Sequence, residues 1–203
     1  MRGWLAILSV LALSGCVEGV TVPGAPSDFI VVSDFTVPEG AVKLDPSFGF
    51  SLYRGGPGVP PTQRAASIGR AVAFLVTDTI AERLRGLGYD AQSTINPSPQ
   101  TGMRALLVSG AFRIIDEGSR RHPTEVHSAV IADVQIKAEV PGIGVRPVQS
   151  FTVDSRSAPP VAATSGATAR EAGVDADAVR IGAEIAGVVA DVARRNNWVP
   201  VRR

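Results

Sequence analysis

The pattern of apolar and polar residues predicts a strand and a long helix in the first half of the chain. Residues 29–37 are mostly β-branched or aromatic and hold four apolar residues in succession, which is typical of a central strand. From Thr62 to Leu87, apolar residues recur every three to four positions, as on the buried face of an amphipathic helix. Phe74 departs from this pattern because it falls among the charged residues of the opposite face.

Apolar and polar residues alternate along the middle of the chain, which indicates strands with one buried face. Alternating segments run over 104–117, 125–140 and around 149–153, after a shorter strand at 89–95. Turn sequences separate the three longer segments, so we expect them to form an antiparallel meander.

A second helical pattern begins at Thr168 or Asp175 and ends at Arg195. Small residues recur along it at four-residue steps and would allow close approach to the sheet or to the first helix; they are Ala178, Gly182 and Ala186. Together these elements predict an α+β fold, a two-layer α/β sandwich with a mostly antiparallel sheet and two long helices packed on one face.

Apolar positions of both helices and of the meander are expected to meet in one core. Ile114 belongs to the inward face of its strand, and Trp198 is expected to fold back as a core anchor. The other residues expected in this core are Leu75, Ile80, Phe112, Val130, Val134, Ile185 and Val188.

The start of the chain has the order of a secretory signal. Arg2 precedes an apolar run over residues 4–13. Two small residues, Ser14 and Gly15, then stand directly before Cys16, the single cysteine of the chain. This order resembles the lipobox of bacterial lipoproteins, in which the cysteine is lipidated and becomes the first mature residue. The alternative is an ordinary signal peptide that leaves Cys16 as a free thiol.

This leader predicts how the chain is divided. We expect a lipoprotein signal peptide at 1–15, a flexible tether at 16–27 and a single periplasmic α/β domain at 28–203. No later run is long and uncharged enough to span a bilayer. Palmitate or a similar acyl group on Cys16 would therefore hold the domain to the membrane. The absence of an aspartate after Cys16 favours the outer membrane, with the domain facing the periplasm.

Charge excludes one class of partner. The formal net charge is +1, and it falls to zero once a leader that contains Arg2 is removed. A protein that binds nucleic acid needs a surplus of basic residues to neutralise phosphates, so no nucleic-acid partner is expected.

The two histidines of the chain are the candidates for metal-dependent chemistry. His127 and Glu125 share a face of their predicted strand, and with His122 they could hold zinc or another divalent ion. The alternative is the ordinary polar face of a strand, because the histidine spacing of helical metal sites is absent. No phosphate-binding, dinucleotide-binding or nucleophile-elbow motif occurs, so neither a cofactor nor a catalytic residue is predicted.

Two further groups of residues are candidates for binding. Arg120 and Arg121, beside His122, could bind an anionic group, although the sequence favours a solvated turn. Three aromatic residues of the long loop at 38–61 either cap the core, which the sequence favours, or contact a partner; they are Phe48, Phe50 and Tyr53. Phe74 either meets another element of the fold or belongs to a contact surface.

Several short motifs also follow one another in a recognisable order. They lie at 31–35, 42–45, 107–112 and 115–118, and are followed by the Arg120–Arg121 pair and by Asn197–Trp198. This order resembles the uncharacterised bacterial envelope lipoproteins called domain of unknown function 4410. That family typically has a glycine-rich segment after the double arginine, where this chain has His122-Pro123-Thr124-Glu125.

The resemblance implies an envelope lipoprotein, and it brings no established activity and no agreed site residues. The strand–helix–sheet–helix order is also similar to periplasmic domains of lipoproteins that assist curli secretion or activate cell-wall synthases.

These observations favour a lipid-anchored, non-catalytic accessory protein of the cell envelope that binds a partner protein or a cell-wall component. The alternative is a metal-dependent envelope enzyme that uses Glu125 and His127. The enzyme requires those two side chains to converge in a cleft, whereas the accessory protein requires an exposed contact surface.

Overall fold

Six strands and two helices make up the part of the chain that the computed structural model describes, which is residues 29–45, 59–94, 104–119, 127–159, 173–198 and 200. In chain order the elements are β1 (Phe29–Ser33), β2 (Val42–Lys43), α1 (Pro61–Gly86), β3 (Asp90–Thr94), β4 (Ala105–Asp116), β5 (Ala129–Val140), β6 (Gly144–Asp154) and α2 (Val174–Arg195). Both helices and five of the strands lie where the sequence predicts them. The short β2 is the element that the apolar pattern does not predict.

One mixed sheet holds the six strands, with the main order β3-β1-β4-β5-β6. β1 is parallel to both β3 and β4, and β2 is parallel to a later part of β4. β4, β5 and β6 form the longer, antiparallel ladders of the expected meander. Both helices pack against one face of the sheet around a common core. The predicted two-layer α+β architecture is therefore confirmed.

β1 is a central strand that is buried along all of its five residues. Ile30 and Val32 face the helices, whereas Phe29 and Val31 contact Ala105 on the other face of the sheet. Parallel strands need a crossover connection, and α1 supplies the one between β1 and β3.

β4 contains a bulge that changes which of its residues faces the core. The register with β5 shifts between Phe112 and Ile114, so Arg113 is an extra residue on β4. Ile115 is therefore fully buried, and Ile114 is only half-buried. The inward prediction for Ile114 is wrong, because one extra residue reverses the alternation beyond it.

The core between the sheet and the helices contains most of the residues that were expected there. Those exposed by 1% or less are Ile80, Phe112, Val130, Val134 and Ile185. Trp198 is 4% exposed and belongs to the same core, so its predicted anchoring role is confirmed. Leu75 and Val188 pack against this core but are only partly buried, because they lie at the rim of their helix faces.

α1 and α2 lie close together because one position in their contact has no side chain. A Cβ atom on Gly182 would lie 2.9 Å from Cβ of Thr79 and 3.2 Å from the backbone oxygen of Val76. Ala178 and Ala186, one turn to either side of the glycine, are buried as well. The small-residue stripe therefore allows the close approach to the first helix that the sequence predicts.

β6 is the last strand of the described sheet, and its ladder with β5 is irregular. Ile136 pairs with Gln149, but Lys137 pairs with Pro147, which leaves Val148 as an extra residue. The first half of β6 therefore contains both a bulge and a proline.

Replacing Gly182 by alanine should destabilise the domain by about 1–3 kcal/mol, because the added methyl group must displace Thr79 or separate the helices. Gly187 provides a matched control in the same helix, since a Cβ atom there meets nothing within 4 Å. Gly187→Ala should stabilise the domain by about 1 kcal/mol, because alanine favours the helix more than glycine does. Urea unfolding followed by circular dichroism measures both effects. Stabilisation by both substitutions would contradict the close contact.

Candidate functional site

Phe74 is the aromatic side chain that α1 exposes to solvent. It is 67% exposed, whereas the other aromatic side chains in the described ranges are buried or half-buried. Arg70 and Ala71 lie one turn before it and are exposed, and Asp78 lies one turn after it and is half-buried. We call these four residues the Phe74 surface.

The helix presents Phe74 from a fixed position. Val72, Val76 and Ile80 are fully buried on the inner face of α1, so the helix cannot rotate without exposing them. Ala73, next to Phe74 in sequence, is buried as well. The sequence-based prediction that Phe74 lies on the charged side of the helix is therefore confirmed. An aromatic side chain at a fixed backbone position, with an arginine and a carboxylate one turn away, suits protein recognition.

The other candidate contact residues lie outside the described ranges. These are Phe48, Phe50 and Tyr53, and also the candidate lipidation site Cys16. Whether the three loop aromatics join the Phe74 surface stays a prediction. The paired arginines Arg120 and Arg121 also lie outside the described ranges, so their anion-binding role stays a prediction too.

Of the residues proposed for a metal site, the structure describes only His127. Its side chain is exposed, two residues before β5 begins. His122 and Glu125 lie outside the described ranges. Within those ranges, no three histidine, cysteine, aspartate or glutamate side chains are grouped so that they could hold a metal ion. The His122, Glu125 and His127 site therefore stays a prediction.

A partly buried charged cluster joins the start of α1 to the ends of β2 and β4. The Glu117 carboxylate forms an ion pair with Arg64 and accepts a hydrogen bond from the backbone N–H of Asp45 at 2.9 Å. Asp45 itself is 2% exposed. The cluster therefore fixes the points from which the chain continues into 46–58 and 120–126. Sequence reasoning missed it because Arg64 and Glu117 are far apart in the chain and neither belongs to a local motif.

A second polar cluster holds the first turn of α2 against the start of β5. The Asp177 carboxylate accepts hydrogen bonds from the Ser128 hydroxyl at 2.6 Å and from the Arg180 guanidinium at 2.7 Å. Arg180 also donates to the backbone oxygen of Ser155 at 3.1 Å. Asp177 is 5% exposed and both of its carboxylate oxygens are hydrogen-bonded, so this side chain holds the first turn of α2 in place.

Three other carboxylates have shifted pKa values. The side-chain hydrogen bond from Arg113 lowers the pKa of Asp133, and the hydroxyl of Thr152 lowers it further. In the same way, the Arg156 guanidinium lowers the pKa of Asp154. Burial raises the pKa of Glu184, and the negative charge of Asp154 adds to this effect. One oxygen of Glu184 is buried without a hydrogen-bond partner in the described part of the chain.

Neither α1 nor α2, the helices of the described ranges, is apolar over a stretch long enough to cross a bilayer.

Comparison with known proteins gives a distant likeness of fold and no family. No family model matches the chain, and no curated protein matches it. The resemblance to domain of unknown function 4410 therefore stays a prediction.

Two bacterial structures show the distant likeness. A Helicobacter pylori protein named as a neuraminyllactose-binding hemagglutinin homolog is 14% identical, over 64% of this chain, with a TM-score of 0.31. This chain spans 63% of the length of that protein. The hypothetical protein CT253 from Chlamydia trachomatis is 9% identical, over 85% of this chain and 96% of its own, with a TM-score of 0.33. At these TM-scores neither structure carries an argument about function.

Glu184→Gln should stabilise the domain at neutral pH. Because the pKa of Glu184 is raised above its ordinary value of 4.5, this group favours folding while it is protonated. The stability that protonated Glu184 contributes is fully present at pH values below its ordinary pKa. This stability is lost as the pH rises through the higher pKa of the folded state. The stability difference between variant and wild type should therefore grow with pH.

Denaturant unfolding between pH 4 and pH 8 measures this difference. Glu82→Gln, at an exposed position of α1, is the control and should change stability by less than about 0.5 kcal/mol. A difference that is constant over the whole pH range would contradict the raised pKa.

Proposed function

We propose that the protein is a lipid-anchored accessory protein of the bacterial cell envelope, which binds a partner protein or a cell-wall component without catalysing a reaction. The observation that carries this proposal is the exposure of Phe74 on a helix whose opposite face is fully buried. Phe74 is an aromatic side chain placed among charged residues on a fixed helix, which is the composition of a protein contact surface.

The composition of the Phe74 surface supports binding. Aromatic residues and arginines supply most of the residues whose truncation weakens protein interfaces by about 2 kcal/mol or more. Phe74 has Arg70 one turn before it and Asp78 one turn after it, so the aromatic ring has a charged rim on both sides. The predicted loop aromatics Phe48, Phe50 and Tyr53 would enlarge this surface.

The anchor is proposed from the leader sequence. An apolar run that ends in Ser14-Gly15-Cys16 provides the cysteine that lipidation requires at the position where it requires it. The acylated domain would face the periplasm from the outer membrane.

The lipid anchor is tested by metabolic labelling with radioactive palmitate. The wild-type chain should incorporate label and fractionate with the outer membrane, and Cys16→Ala should do neither, because it removes the acylated thiol. Cys16→Ser is a second variant that keeps the size of the side chain. Absence of label in wild type, or label in both variants, would refute the anchor.

The binding surface is tested by photo-crosslinking in intact cells. A photoreactive residue at position 70 should capture a specific protein or cell-wall fragment, and Phe74→Ala should abolish that capture. Phe74 contributes little to folding, so Phe74→Ala should change stability by less than about 0.5 kcal/mol.

Val59→Ala is the matched control for this experiment. Val59 is 60% exposed just before the start of the same helix, and its truncation should leave capture unchanged. Capture that survives Phe74→Ala would remove this residue from the contact surface.

A further inference from the structure

One end of the sheet brings together the start of β1 and the turn of the last hairpin. Phe29, the first residue of β1, pairs with Ala105. Ala105 in turn pairs with Glu139, and Glu139 pairs with Val145. The turn between β5 and β6 lies directly beyond this row. We call this end of the domain the entry end, because the chain reaches it from Cys16.

Both helices finish at the entry end. At the end of α1, Arg85 donates a hydrogen bond at 3.0 Å to the backbone oxygen of Ala91, in the strand that begins beside Phe29. Beyond α2, the ring of Trp198 lies under the guanidinium of Arg104, whose central carbon is 4.8 Å from the ring centroid. Arg104 immediately precedes β4.

Large apolar side chains are exposed at this end. Ile143 is 55% exposed and Val145 is 52% exposed, both in the β5–β6 hairpin. Leu87, just after α1, is 55% exposed, and Val148, farther along β6, is 39% exposed. Isolated apolar side chains on a surface need no explanation, but several at one end of a domain mark a contact.

Basic side chains outnumber acidic ones at this end of the domain. The exposed or half-buried arginines of the entry end are Arg83, Arg85, Arg104, Arg146, Arg194 and Arg195. Acidic residues are fewer there, namely Glu82, Asp90, Glu139 and Asp191, and Asp191 forms an ion pair with Arg194. At the opposite end, arginines are paired with carboxylates instead: Arg64 with Glu117, Arg156 with Asp154 and Arg180 with Asp177. Arginines in the last turn of a helix also complement the helix dipole, but that effect does not explain the exposed hairpin.

We infer that the entry end rests on an anionic lipid surface, with Ile143 and Val145 entering the bilayer interface and the arginines facing lipid phosphates. This inference rests on the proposed lipid anchor. The thirteen peptide steps from Cys16 to Phe29 can span at most about 45 Å, so an acylated chain keeps the entry end near the membrane. Exposed apolar side chains beside basic ones are the combination that binds such an interface.

The contact is tested with the acylated full chain in vesicles of phosphatidylethanolamine and phosphatidylglycerol. Because acylation consumes Cys16, an introduced cysteine is the single free thiol and can carry an NBD fluorophore. Ile143→Cys is the test position. Val59→Cys is the matched control, since Val59 is 60% exposed and lies before α1, at the opposite end of the domain. Circular dichroism confirms that both labelled chains are folded.

Lipids that carry a doxyl quencher report the contact. We expect them to quench about half of the NBD emission at position 143, and to leave position 59 nearly unchanged. Replacing phosphatidylglycerol by phosphatidylcholine should reduce the quenching, because the arginines then lose their anionic partners. Equal quenching in both lipids would overturn the role given to the arginines.

The remaining outcomes overturn the contact itself. Equal quenching at both positions, or at neither, would show that the entry end has no preference for lipid. An emission change that disappears when the protein is diluted in lipid would show a second copy of the chain as the occupant. Palmitate labelling distinguishes the two proposals: an unlabelled chain refutes the anchor and the contact together, whereas a labelled chain without quenching refutes the contact alone.

Discussion

The absence of a side chain at Gly182 is the constraint on which the helical layer depends. It lets α2 approach α1 until the glycine meets Thr79 and the backbone of Val76. With α2 in this position, the two helices cover one face of the sheet as a single layer. The rotation of α1 about its axis is fixed because Val72, Val76 and Ile80 are buried on its inner face. Phe74 is exposed as a consequence. The candidate binding surface is therefore set by a contact on the other side of the helix.

The local patterns of the sequence are sufficient to predict the helices and the meander. The helical period of apolar residues and their alternation along strands both show which face of an element is buried. The bulge at Arg113 is different. Strict alternation places Ile114 inward, and the extra residue reverses that assignment, so that Ile115 is buried instead. Two further features join segments that are far apart in the chain: the parallel pairing of β1 with two strands and the contact of Arg64 with Glu117. The periodicity of a local segment does not predict either of them. Phe74 could be predicted because it breaks a strong pattern, whereas the proposed metal and anion sites depend on His122, Glu125 and the two arginines, which lie beyond the described residues.

Carboxylates that are buried or partly buried have different roles in the domain, depending on whether their charge is paired. Asp177 and Glu117 have partners that satisfy their charges, so each fixes where a helix begins. A buried ion pair adds little net stability but is costly to break on one side only, so such pairs specify position more than they strengthen the fold. Glu184 lacks that compensation at one oxygen, and burial together with the negative charge of Asp154 raises its pKa.

The irregular ladder of β6 makes this strand a poor pairing partner for other copies of the chain. A regular strand at the edge of a sheet presents a row of unpaired backbone N–H and C=O groups. Another extended chain can pair with these groups, which is a common route to aggregation. Pro147 has no N–H to offer, and the extra residue at Val148 breaks the repeat that a docking strand would have to match. The apolar hairpin can thus stay exposed while the strand that carries it remains a poor template for fibre growth.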